Sequence, residues 1–134
     1  MTRVLIVDDE EDLRMLMSLI LRKVGYETLQ AESGEDLFAK IGGFLPDIIL
    51  LDVVMQGMQT TEILQRLREK SGDPPVILIT VLRFSETERA GLFGCGHVVG
   101  YIAKPFDVHY FIGTIDKQLG LHHSQVDGCN TTVP

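Results

Sequence analysis

Four apolar runs of strand length punctuate this chain, and each stops at a polar residue. Val4-Leu5-Ile6-Val7 stops at Asp8, Ile48-Ile49-Leu50-Leu51 at Asp52, Val76-Ile77-Leu78-Ile79 at Thr80, and the stretch 98–103 at Lys104. A run without polar alternation is a strand covered on both faces, and parallel sheets flanked by helices supply that cover. The segments between the runs carry helical period. Leu13, Leu16, Met17, Ile20, Leu21 and Val24 recur on one helical face, and Gly25 stops the pattern. Glu10, Glu11 and Asp12 open that helix and Arg22 and Lys23 close it, as its dipole favours. Thr28 to Ala31 is a short second strand. Ser33 caps a second helix running to about Ile41, with Asp36 closing a capping-box analogue and Gly42-Gly43 as the stop. A third helix is expected from Thr61 to about Lys70, with Ile63, Leu64 and Leu67 inward, and a turn at 71–75 follows it. A weaker fourth helix spans Ser85 to about Phe93. Asp107 caps a fifth, whose stripe is Phe111, Ile112, Ile115 and Leu119.

Five strand–helix units predict an α/β fold, a five-stranded parallel sheet doubly wound by right-handed crossovers. The 134 residues suit one domain, expected over 1–120. Residues 121–134 are polar and aperiodic, as in a disordered tail or the start of a linker. A formal charge of −7 argues against direct nucleic-acid binding, because an acidic surface repels phosphates. Cys95 and Cys129 form no CxxC pair, which disfavours a disulfide scaffold or a zinc site. With no signal peptide and no run of membrane-span length, the expected location is cytoplasmic, without membrane insertion.

In doubly wound folds ligands bind outside the carboxyl ends of the strands. Asp8, Asp9, Asp52, Thr80 and Lys104 therefore converge at one edge. Three carboxylates repel one another unless a cation intervenes, and one lysine is too little for three. Mg2+ favours one or two carboxylates, waters and a phosphate oxygen. A carboxylate can act as nucleophile toward phosphorus, with metal and ammonium neutralising the developing charge and the threonine hydroxyl donating a hydrogen bond.

The motifs VLIVDDEED (4–12), PDIILLDVVMQGM (46–58), VILIT (76–80) and YIAKPF (101–106) together resemble the response-regulator receiver domain of two-component signalling, in its chemotaxis-regulator-like form. The resemblance implies a flavodoxin-like (βα)5 receiver fold. It implies Asp52 as phosphoacceptor, Asp8 and Asp9 as the acidic pair for Mg2+, and the Val54 backbone carbonyl as a further ligand. Thr80 and Tyr101 match the switch pair, Lys104 the phosphate-pairing lysine, and Lys104–Pro105 a cis bond. The implied donor is a sensor histidine kinase or a phosphotransfer protein. An output protein would bind the face of the fourth helix, fifth strand and fifth helix, and a phosphorylation-dependent homodimer belongs to the same set of partners. Such a domain is a switch that assists its own phosphorylation and dephosphorylation, and not an enzyme with a separate substrate.

The chain departs from the family pattern in places. Gln56 stands where proline is usual, Gln59-Thr60 where Asp-Gly is usual, and Val81 where a small residue is usual. Val54 and Leu82, which the resemblance places on the path of the hydrolytic water, are apolar and cannot orient it, so self-dephosphorylation is expected to be slow. Gly91, Gly94 and Gly96 are spaced GxxGxG before a strand, unlike a phosphate loop. His97, His109, His122 and His123 read as surface residues. The alternative function is a pseudo-receiver, an interaction module that takes no phosphate. A flavin-binding fold is disfavoured by the acidic pair after the first strand, and a dehalogenase-type phosphatase by Val54 where a second aspartate is required.

Overall fold

A computed structural model describes residues 2–53, 55, 57–80 and 97–120. The strands are β1 (Arg3–Val7), β2 (Glu27–Ala31), β3 (Ile48–Asp52), β4 (Val76–Thr80) and β5 (Val98–Ala103). The helices are α1 (Glu11–Lys23), α2 (Gly34–Phe44), α3 (Thr60–Lys70) and α4 (Val108–Leu119), the last being the fifth in the expected order. The helix expected over Ser85–Phe93 lies outside the described residues, as do Val54, Gln56, Val81, Leu82, Gly91, Gly94, Gly96, His122, His123, both cysteines and the segment 121–134.

The strands pair in parallel in the order β2-β1-β3-β4-β5. The chain winds outward from β1 to β2, then crosses back to β3, so the switch point lies between β1 and β3. Every residue of β3 and β4 is buried, which accounts for their unbroken apolar runs. Successive side chains alternate between two cores. Val4, Ile6, Leu50 and Ile79 pack with Met17 and Leu21 of α1 and with Phe111 and Ile115 of α4. Leu5, Val7, Ile49 and Leu51 pack with Leu37 and Ile41 of α2 and with Ile63 and Leu67 of α3.

Helix ends follow local chemistry. Gly25 (φ 104°) closes α1, with the Gly25 N–H donating to the Arg22 carbonyl at 3.1 Å and the Tyr26 N–H to that of Leu21 at 3.0 Å. Ser33 Oγ accepts from the Asp36 N–H at 3.0 Å. Asp36 in turn accepts from the Glu32 N–H and pairs with Lys40 at 2.9 Å, and that lysine holds its carboxyl below the ordinary range. Asp107 accepts from the Tyr110 N–H at 3.0 Å and starts α4. At the start of α2, Gly34 meets α3 so closely that a Cβ would lie 3.0 Å from Ile63 Cδ1 and 3.1 Å from Met58 Cβ.

Four sequence expectations need correction. Gly42-Gly43 does not stop α2, which runs on to Phe44 and ends at Leu45 in a left-handed conformation (φ 54°). Burying Phe44 is worth about 1.5–3 kcal/mol, enough to offset two helical glycines at about 1 kcal/mol each. Leu16 is not part of the inward stripe. It is 49% exposed beside Met15 and Leu19, each 53% exposed, while Leu13, Ile20 and Val24 pack on the core. Strand β2 begins one residue earlier, at Glu27, because Glu27 pairs with Arg3 in the ladder. Helix α3 begins at Thr60, one residue earlier than expected, because the Gln59 carbonyl already accepts the Ile63 N–H.

One tertiary link has no local signature. Tyr26, just before β2, donates its hydroxyl hydrogen to Asp116 of α4 within the core. Burial, together with the neighbouring carboxyl, raises the Tyr26 pKa far above the phenol range.

Candidate functional site

The ladder register assembles the site. Val7 pairs with Leu51, so Asp8 leaves β1 beside Asp52. Asp52 pairs with Ile79, which sets Thr80 one step further along β4. Thr80 pairs with Ala103, and Lys104 follows at the end of β5. Carboxylate oxygens of Asp8, Asp9 and Asp52 lie within 4.8 Å of one another. Lys104 Nζ stands 3.3 Å from Asp8 Oδ2 and 3.5 Å from Asp52 Oδ2.

These groups differ in freedom. Asp8 is fully buried and held on several sides. Its Oδ1 accepts the Glu10 N–H at 2.9 Å, and its backbone N–H donates to the Ala31 carbonyl at 3.1 Å. Arg14 donates to the Asp8 carbonyl at 2.8 Å and, through Nε, to Gln30 Oε1 at 3.2 Å. Neither aspartate caps α1, whose N-cap is Glu10. Asp9 is exposed, and its carboxylate stands at the open side of the cluster. Asp52 and Thr80 are buried. The Lys104 N–H donates to the Thr80 carbonyl at 2.8 Å, and the Lys104–Pro105 peptide is cis. Tyr101 is half-buried and packs on the α2–α3 side of the sheet, near the edge that holds Thr80. Val54 lies outside the described residues.

Three carboxylates and one ammonium leave two negative charges at one edge when all are ionised. Two of the carboxylates are buried, where water screens repulsion poorly. An all-oxygen donor set of this size suits a hard divalent cation with remaining positions for water or phosphate oxygen. The residues present therefore fit Mg2+.

Sequence reasoning missed two supports of the site. Arg14 lies inside α1, and only the fold brings its guanidinium back to the Asp8 carbonyl. Thr60 registered as a departure from a family pattern. Its Oγ1 donates to the Val53 carbonyl at 3.1 Å, one residue beyond Asp52. The loop before α3 also contains a glycine in the left-handed region, Gly57 (φ 91°).

A family model, the response regulator receiver domain, matches residues 4–116. The chain belongs to that family and is a receiver domain of a two-component response regulator. It is 36% identical over 115 residues to the sensory transduction protein RegX3 of Mycobacterium tuberculosis, covering 86% of this chain and 49% of that protein. It is 31% identical to sporulation initiation phosphotransferase F of Bacillus subtilis, covering 89% of this chain and 94% of that one. The chain thus spans about half the length of RegX3 and nearly all of phosphotransferase F. The fold matches the chemotaxis protein CheY4 of Vibrio cholerae with TM-score 0.79 and 28% identity, covering 87% of this chain and 98% of that one. It matches TrrA of Thermotoga maritima, solved in complex with Mg2+-BeF, with TM-score 0.74 and 30% identity, covering 87% of this chain and 98% of TrrA. Receiver domains are signalling switches that bind Mg2+ at an acidic pocket and work with histidine kinases or phosphotransfer proteins. Among the described residues no helix is long and apolar enough to cross a membrane.

Proposed function

We propose that Asp52 accepts a phosphoryl group from a phosphohistidine of a sensor kinase or phosphotransfer protein. One observation carries this reading. Asp52 closes the central strand β3 with its carboxylate beside two further carboxylates and 3.5 Å from the Lys104 ammonium. In the reaction an Asp52 oxygen forms the new bond to phosphorus as the phosphorus–nitrogen bond breaks, and the imidazole keeps the electron pair and takes a proton from solvent. Asp9 and Asp52 would hold Mg2+ directly, with the Val54 carbonyl in the position that the family resemblance implies, while Asp8, engaged by the Glu10 N–H and by Lys104, would act from behind. Bound Mg2+ supplies positive charge against the phosphoryl oxygens. Lys104 pairs with a further phosphoryl oxygen, and Thr80 donates a hydrogen bond to another. Moving the Thr80 hydroxyl toward the phosphoryl group frees space for Tyr101 to turn inward, and the face around β5 and α4 changes what it binds, a partner protein or a second copy. A cytoplasmic location is part of this reading.

Intact-mass measurement after incubation with acetyl phosphate and Mg2+ tests this. The expected result is one phosphoryl adduct that vanishes with chelator and in Asp52→Asn. No adduct marks a pseudo-receiver, and an adduct retained in Asp52→Asn moves the acceptor elsewhere.

A further inference from the structure

The chain leaving Asp52 is tied at both backbone groups of its next residue. The Val53 N–H donates to the Ile79 carbonyl at 3.1 Å, extending the β3–β4 ladder one step past the acceptor. The Val53 carbonyl accepts from Thr60 Oγ1 at 3.1 Å. Thr60 is the first residue of α3, and the preceding N-cap, Gln59, makes no side-chain capping bond. The hydroxyl at the helix start is thus spent on the loop and not on the helix. A glycine, the residue that the family pattern leads one to expect here, has no such group. On the other side of the same loop Met58 comes close to the start of α2, its Cβ 3.1 Å from where a Cβ on Gly34 would stand.

We propose that Thr60 is a positioning residue for the metal and phosphoryl site. Its hydroxyl fixes the Val53 peptide and so sets the angle at which the Asp52 carboxylate meets the cation. Metal sites depend strongly on such hydrogen bonds behind the ligands. This inference rests on the reading of Asp52 as a Mg2+-dependent acceptor.

Calorimetric titration of the full chain with Mg2+ alone tests it, using wild type, Thr60→Val, Thr60→Ala and Thr60→Ser. Valine keeps the shape and removes the hydroxyl, whereas serine keeps the hydroxyl. The Mg2+ dissociation constant should rise roughly three- to ten-fold in the valine and alanine variants and stay within about two-fold in the serine variant. Phosphorylation by acetyl phosphate in Thr60→Val should then need more Mg2+ but recover its rate at saturation. Thermal midpoints in chelator report any purely structural effect. A lowered midpoint with unchanged Mg2+ affinity overturns the proposal and leaves the Asp52 reading standing. Wild type that binds no Mg2+ overturns both.

Discussion

At the scale of single residues, the site is a matter of which polar groups stand at strand ends. Asp8, Asp52, Thr80 and Lys104 were legible because each closes an apolar run, and a parallel sheet brings such residues to one edge. Arg14 and the hydroxyl of Thr60 were not, since their partners are backbone carbonyls that only the folded loops present. The lifetime of the proposed phosphoaspartate also belongs to this scale. The family resemblance implies that residues 54 and 82 flank the attacking water, and neither valine nor leucine can hold it by a hydrogen bond. The expected outcome is slow hydrolysis, followed as decay of the intact-mass adduct after removal of acetyl phosphate. Val54→Asn should shorten that decay severalfold, and a half-life of seconds in the wild type contradicts the argument.

At the scale of elements, strands were easier to read than helix ends. Burial on both faces imposes an unbroken apolar run, so β3 and β4 declare themselves. A helix end is a contest between local preference and packing. Gly42 and Gly43 speak for a stop, but Phe44, the very next residue, finds the core, and no local pattern contains that fact. Leu16 is the converse case, since its spacing fits the inward stripe while Met17, Leu21 and their neighbours take the core face and leave it half exposed. Both glycines are exposed inside α2, with nothing within 4 Å of a built Cβ. Gly42→Ala and Gly43→Ala should each stabilise the fold by about 0.5–1 kcal/mol, seen as higher urea midpoints with an unchanged slope. A loss of stability in either would show that the helix needs its glycines.

At the scale of the whole molecule, the parallel sheet and its cover of helices on both faces follow from alternating strands and helices, whereas the strand order is seen only in the fold. Nor does the tie between Tyr26 and Asp116 follow from that alternation, because the two residues lie 90 positions apart. It anchors α4 to the start of β2 through the core. The phenol pKa is raised in the folded chain, first by burial and then by the hydrogen bond to Asp116. A raised folded pKa means that this contribution is complete below the unfolded value of 10.0 and is lost as pH climbs above it. Tyr26→Phe should cost about 1–2 kcal/mol at neutral pH and flatten the alkaline fall in stability, measured by urea titrations from neutral to strongly alkaline solution. An unchanged alkaline limb would assign that fall to other groups. The central position of β3 carries a further consequence, in time. Its amides are enclosed by β1 and β4, so they should be among the slowest to exchange with deuterium, whereas β2 and β5 stand at the margins, where fraying is easier. The proposed phosphoryl group on Asp52 would therefore sit on a strand held from both sides, while the edges of the sheet keep more freedom to move.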